Sequence, residues 1–88
     1  MTREGVLART REYVRKSFLY TRPDFALDPD VELLGAGIID SMGIMELIEF
    51  MEEEFSIQVV DDEITEENLG TLAAIGDYVA RKTALPEG

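Results

Sequence analysis

The chain has 88 residues, with 8 Lys+Arg against 19 Asp+Glu and no His, Cys or Trp, giving a net charge of −11. Such a length allows one small core. The missing His and Cys exclude disulfides, the usual zinc sites and the common nucleophilic triads, and the charge opposes binding to nucleic acid.

Residues 3–20 predict a first helix. Val6, Leu7, Thr10, Tyr13, Val14, Ser17 and Phe18 recur at i, i+3, i+4 and i+7. Thr2 is placed to cap it, and Arg22-Pro23 stops it, because the residue before proline disfavours the helical region. Residues 23–39 read as a long loop with turn signals at Asp28-Pro29-Asp30 and Gly35-Ala36-Gly37. Leu33, Leu34, Ile38 and Ile39 are expected to pin it to the core. A structureless stretch of this length marks functional sequence or a concealed turn.

Asp40 and Ser41 open the clearest helix, 41–55. Ile44, Leu47, Ile48, Met51 and Phe55 form one apolar stripe, with Phe50 at its border. The opposite face carries Met42, Met45, Glu46, Glu49, Glu52 and Glu53. A solvated face needs no methionine. Met42 and Met45 either pack under the long loop or stand out as adaptable contacts. Residues 56–60 read as a connection, since Ile57 and Val59 have no partner strand. A short helical turn is expected over 61–68, then a last helix over 71–82, capped by Thr71, with Leu72, Ile75, Tyr78 and Val79 as its stripe. Residues 84–88 read as a tail. The fold class is all-α, a small three- to four-helix bundle with a long loop between its first two helices. One domain over 1–88 is expected.

The charge is laid out unevenly. Arg3, Arg9, Arg11, Arg15, Lys16 and Arg22 lie at the start and Arg81 and Lys82 near the end, while sixteen acids and no base lie between Pro23 and Ala80. Solvation explains such a run; so does docking to basic partners, which charge steers. Ser41 also admits two readings. Serine is a common helix starter. A phosphodiester on its Oγ would also sit beside unpaired N–H groups, where negative charge is favoured.

Asp40-Ser41-Met42, then Glu46-Leu47 and Glu52-Glu53-Glu54-Phe55, resembles the second helix of acyl carrier proteins. Asp61-Asp62-Glu63 and the segment from Ala73-Ala74-Ile75 to Asp77-Tyr78-Val79 are similar to the family's later helices. The resemblance implies covalent 4′-phosphopantetheine on Ser41, with Asp40 in the attachment motif. A phosphopantetheinyl transferase would move the group from coenzyme A using Mg²⁺. The thiol of the group would carry an acyl or aminoacyl cargo as a thioester. The resemblance further implies partner docking on Met42, Met45, Glu46, Glu49, Glu52 and Glu53, with Asp61 and Asp62 at the edge. The partners would be the transferase, an acyl- or aminoacyl-loading ligase and downstream acyl-transfer enzymes. Fatty-acid carriers often place Asp where Gly43 stands and Gly where Ile38 stands. Gly37-Ile38-Ile39-Asp40-Ser41-Met42-Gly43 is more similar to discrete carriers, including those of D-alanine.

The alternative is an acidic helical interaction module with no prosthetic group. Asp28-Pro29-Asp30 mimics a calcium loop, but Leu33 and Ile39 stand where such a loop needs Gly and Glu. No enzyme, metal site, membrane segment or nucleic-acid partner is expected. A cytoplasmic monomer is.

Overall fold

A computed structural model describes residues 2–84. Among them are four α-helices and one 3₁₀ turn, with no strand: α1 (Arg3–Phe18), α2 (Ser41–Phe55), the turn Asp61–Glu63, α3 (Glu66–Leu69) and α4 (Leu72–Ala84). The tail expected over 84–88 lies outside the described residues, apart from Ala84, which closes α4.

Each full-length helix starts on an oxygen that its own sequence supplies. Thr2 Oγ1 accepts from the Gly5 N–H, Asp40 Oδ1 from Gly43, and Thr71 Oγ1 from Ala74. Such caps satisfy donors that a helix start leaves without partners. α1 ends at Phe18 rather than at residue 20. The Leu19 N–H donates to the Val14 and Arg15 carbonyls, and its side chain leaves the helical path to be buried in the core. Ser17, expected on the buried stripe, is exposed; Leu19 holds the inward place.

The core joins Val6 and Val14 of α1, Leu47, Ile48, Met51 and Phe55 of α2, and Leu72, Ile75, Tyr78 and Val79 of α4. α1 packs chiefly along α4. On the other side Tyr13 stacks on Phe50, with ring centroids 4.2 Å apart and planes 10° from parallel. Ile44 is only half-buried, since it lies one turn from the open end of α2.

The long loop is built rather than slack. Leu27, Leu33, Ile38 and Ile39 are buried. The Leu33 N–H donates to the Gly70 carbonyl, and the Leu33 carbonyl accepts from both Ile38 and Ile39. The Ala73 N–H reaches the Pro29 carbonyl, and Arg15 donates to that of Phe25. Leu34, expected to anchor the loop, is instead 41% exposed. Glu32–Ala36 closes a helical turn through Ala36 N–H and the Glu32 carbonyl. Neighbours on a turn point about 100° apart, and with Leu33 fully buried, Leu34 falls on the open side of this one. Gly37, at φ 74°, supplies the left-handed step that ends the turn.

The helical stretch expected over 61–68 is split. Thr65 is extended and caps a new start, accepting from the Asn68 N–H. α3 therefore begins only at Glu66. Glu63 holds the preceding turn against α4. One oxygen of its carboxylate accepts from Tyr78 Oη at 2.8 Å and from Lys82 Nζ at 2.9 Å. The Lys82 and Tyr78 hydrogen bonds together hold the Glu63 carboxyl below its usual range. Burial pushes the Tyr78 phenol up, and the neighbouring Glu63 adds to the effect.

Candidate functional site

The end of the long loop delivers Asp40 and Ser41 to the surface. Ile38 and Ile39 are buried, and both of their N–H groups are bonded to the Leu33 carbonyl. The next two residues are exposed. Asp40 has extended backbone, and its Oδ1 accepts the Gly43 N–H at 2.7 Å. The Ile44 N–H goes to the Asp40 carbonyl. Among the described residues, the N–H groups of Ser41 and Met42 have no hydrogen-bond acceptor.

Met42 is 79% exposed and Met45 57%. They do not pack under the loop, because the loop's apolar residues turn toward α4 and the core. Leu34 is likewise an exposed large apolar side chain. Glu46, Glu49 and Glu53 follow along the helix, exposed, as are Asp61 and Asp62 past its end. No acid lies in the first turn of α2. None of these five carboxylates has a cationic partner among the described residues. Glu52 differs from them. Its Oε2 turns back to accept the Val59 N–H at 2.9 Å, securing the connection after α2.

Two depressions flank this surface. A cleft of about 140 Å³ runs between α2 and α3, walled by Leu34, Ile44, Ile64 and Leu69. A groove of about 300 Å³ between α1 and α2 is lined by Arg9, Glu12, Tyr13, Lys16, Phe50 and Glu54. Arg9 and Glu54 form an ion pair across it. Burial raises the Tyr13 phenol; the Ser17 hydrogen bond opposes this, and Glu46 and Glu49 add to it. Sequence reasoning missed the Glu63–Tyr78–Lys82 cluster and the second role of Glu52. The first joins residues 19 positions apart, and the second needs the path of the connection to be known.

Residues 16–79 match the family model described as "Phosphopantetheine attachment site". The chain belongs to this family. The carrier is also similar to a D-alanyl carrier protein from Abiotrophia defectiva, 33% identical over 57 residues, which is 65% of this chain and 72% of that one. Family members are non-catalytic acyl carriers with covalently attached 4′-phosphopantetheine, served by a phosphopantetheinyl transferase and by ligases. This replaces the reading of an interaction module without a prosthetic group. The exposed start of α2 fits the group on physical grounds. It offers an accessible hydroxyl, two unclaimed N–H donors and the positive end of a 15-residue helix dipole. Among the described residues, no helix of the carrier is long and apolar enough to cross a membrane.

Proposed function

We propose that the protein bears 4′-phosphopantetheine on Ser41 Oγ and delivers an aminoacyl cargo. In the attachment step, Ser41 Oγ attacks the pantetheine-bearing phosphorus of coenzyme A. The new Oγ–P bond forms as the P–O bond to adenosine 3′,5′-bisphosphate breaks, and the serine proton passes to a base of the transferase or to solvent. Once attached, the group supplies the thiol that holds cargo as a thioester. The chain's own residues hold the serine outward, offer N–H groups to the phosphodiester and present the surface on which partners land.

The observation that carries the reading is Ser41, exposed at the capped start of α2 between the buried Ile38-Ile39 anchor and the exposed Met42 and Met45. Docking is assigned to Met42, Met45, Glu46, Glu49 and Glu53, with Asp61 and Asp62 at the edge. Glu52 contributes mainly by holding the adjoining connection. Such a face fits basic partner surfaces that surround an apolar centre. Two observations support an aminoacyl cargo of the D-alanyl class. One is the segment Asp40-Ser41-Met42-Gly43; the other is the similarity to a D-alanyl carrier protein. A monomer accords with the charge of −11, which opposes self-association.

The test is intact mass after incubation with coenzyme A, Mg²⁺ and a broad-specificity phosphopantetheinyl transferase. The expected result is a gain of one phosphopantetheine in the wild type and none in Ser41→Ala. No gain with any of several transferases would overturn the reading. An amino-acid-activating ligase then decides the cargo, since only an aminoacyl carrier gains the mass of the amino acid from ATP and D-alanine.

A further inference from the structure

Gly43 lies in the first turn of α2, although glycine is a poor helix former. Its backbone does not require glycine: it is helical, and the only glycine with positive φ among the described residues is Gly37. The reason is space. A Cβ at position 43 would lie 2.8 Å from Ile39 Cγ2, 2.9 Å from Phe18 Cε1 and 3.3 Å from Asp40 Oδ1. Three separate elements thus converge on the missing side chain: the end of α1, the last buried residue of the loop, and the helix cap. Gly43 is also the residue whose N–H the cap accepts.

We propose that Gly43 is a positioning residue for Ser41, acting through Ile39, Asp40 and Phe18. This rests on the assignment of Ser41 as the attachment site. The notch at Gly43 lets the first turn of α2 seat directly on Phe18 and Ile39, with no side chain between. A methyl group there is a wedge. The Phe18 ring meets Tyr13 edge-to-face at 5.9 Å, which limits where it can go. Ile39 is 2% exposed and is bonded directly to Asp40, so pushing it moves the cap and then the serine. Ser41 and the carboxylates Glu46 and Glu49 must meet one transferase together. A shift of the first turn against the rest of α2 therefore spoils alignment of the hydroxyl while leaving the charged face in place.

The experiment compares wild type, Gly43→Ala, Gly43→Ala with Phe18→Leu, and Val79→Ala, a core substitution in α4 that lowers stability away from the site. Phosphopantetheine transfer is measured at a temperature where circular dichroism finds each variant folded, and kcat and KM for the carrier are separated. Gly43→Ala is expected to lower kcat about tenfold with KM within about twofold. Phe18→Leu, which removes the Cε1 contact but keeps the closer Ile39 Cγ2 one, restores part of the loss, and Val79→Ala keeps wild-type kcat. The idea fails if Gly43→Ala reacts like wild type, if its loss is matched by Val79→Ala, or if Phe18→Leu restores nothing. Should Gly43→Ala not fold, the double variant, which keeps the Ile39 contact, decides: a lowered kcat with KM unchanged supports positioning, and wild-type kcat overturns it. Backbone amide shifts give a reading independent of any transferase. Gly43→Ala should move the Asp40, Ser41 and Met42 resonances and the double variant return them in part; unmoved resonances overturn positioning. Absence of transfer to wild type would refute the Ser41 assignment instead, and the shifts would still judge the notch.

Discussion

Carboxylates are used in two different ways on the two sides of this small protein. On the α1–α4 side they are joined to bases: Asp77 to Arg3, Glu54 to Arg9, Glu12 to Lys16 and Glu63 to Lys82. On the outer face of α2 and just past its end, Glu46, Glu49, Glu53, Asp61 and Asp62 stand exposed without a cation among the described residues. The sequence distribution explains how. All eight bases fall in the first and last stretches of the chain, and α1 packs along α4, so the bases are gathered on one side. The other side keeps its carboxylates without cations among the described residues. Under the proposed docking, stability and recognition fall to different acids, and substitutions should separate them.

The largest effect on stability is expected at Tyr78→Phe, which removes the phenol from Glu63 and should cost about 1.5 kcal/mol by chemical denaturation with no change in transfer kinetics. The pH dependence follows from Glu63. Its carboxyl titrates below the ordinary range when folded, so its stabilisation is present above the unfolded value and lost as pH falls through the lowered folded one. The stability difference between wild type and Glu63→Gln should therefore hold constant from pH 7 to about 5 and shrink below about pH 4. A difference that grows on acidification would contradict the clasp.

On the proposed docking face the pattern should invert. Glu46→Lys with Glu49→Lys should leave the thermal midpoint unchanged or raise it, since like charges are removed. Transfer should slow about tenfold at low salt, with most of the loss recovered near 0.5 M salt. Equal kinetics at low salt would show that this face is not the one partners read. Glu52→Ala tests the residue between the two classes. Loss of the Val59 hydrogen bond should cost about 1 kcal/mol, a change in stability that exceeds any change in docking. The smallest effect belongs to Glu54→Gln. Its exposed pair with Arg9 should contribute about 0.5 kcal/mol, with docking rates untouched.

What could be read from the sequence divides along the same physical lines. The stripe Leu47, Ile48, Met51 and Phe55 follows from helical spacing, and Asp40 and Thr71 follow from capping preference, because both are local rules. Ile44 obeys the spacing but is only half-buried, because burial also depends on how far the neighbours extend. The choice of Leu33 over Leu34 rested on a turn closed by Ala36 and Glu32, and the break at Ile64-Thr65 on a second cap. Thr65-Glu66-Glu67 carried that signal, though weakly beside the acidic run before it. The exposure of Met42 and Met45 could not be decided from pattern, since methionine suits either setting and the path of the loop settles the matter. The Glu63 clasp was hidden for the opposite reason: each member looks ordinary, and only the fold brings them together.

The brevity of α3 has a consequence of its own. Four residues make one turn, far below the length at which a helix persists unaided. It is held by its neighbours: the Thr65 cap, the Gly70 carbonyl bonded to Leu33, and the Glu63 clasp just before it. Its amides are thus expected to exchange with deuterium sooner than those of α1, α2 or α4, through openings that need not unfold the rest. Ile64, just before α3, and Leu69, its last residue, line the cleft facing Ile44, so that wall of the cleft is expected to open with α3.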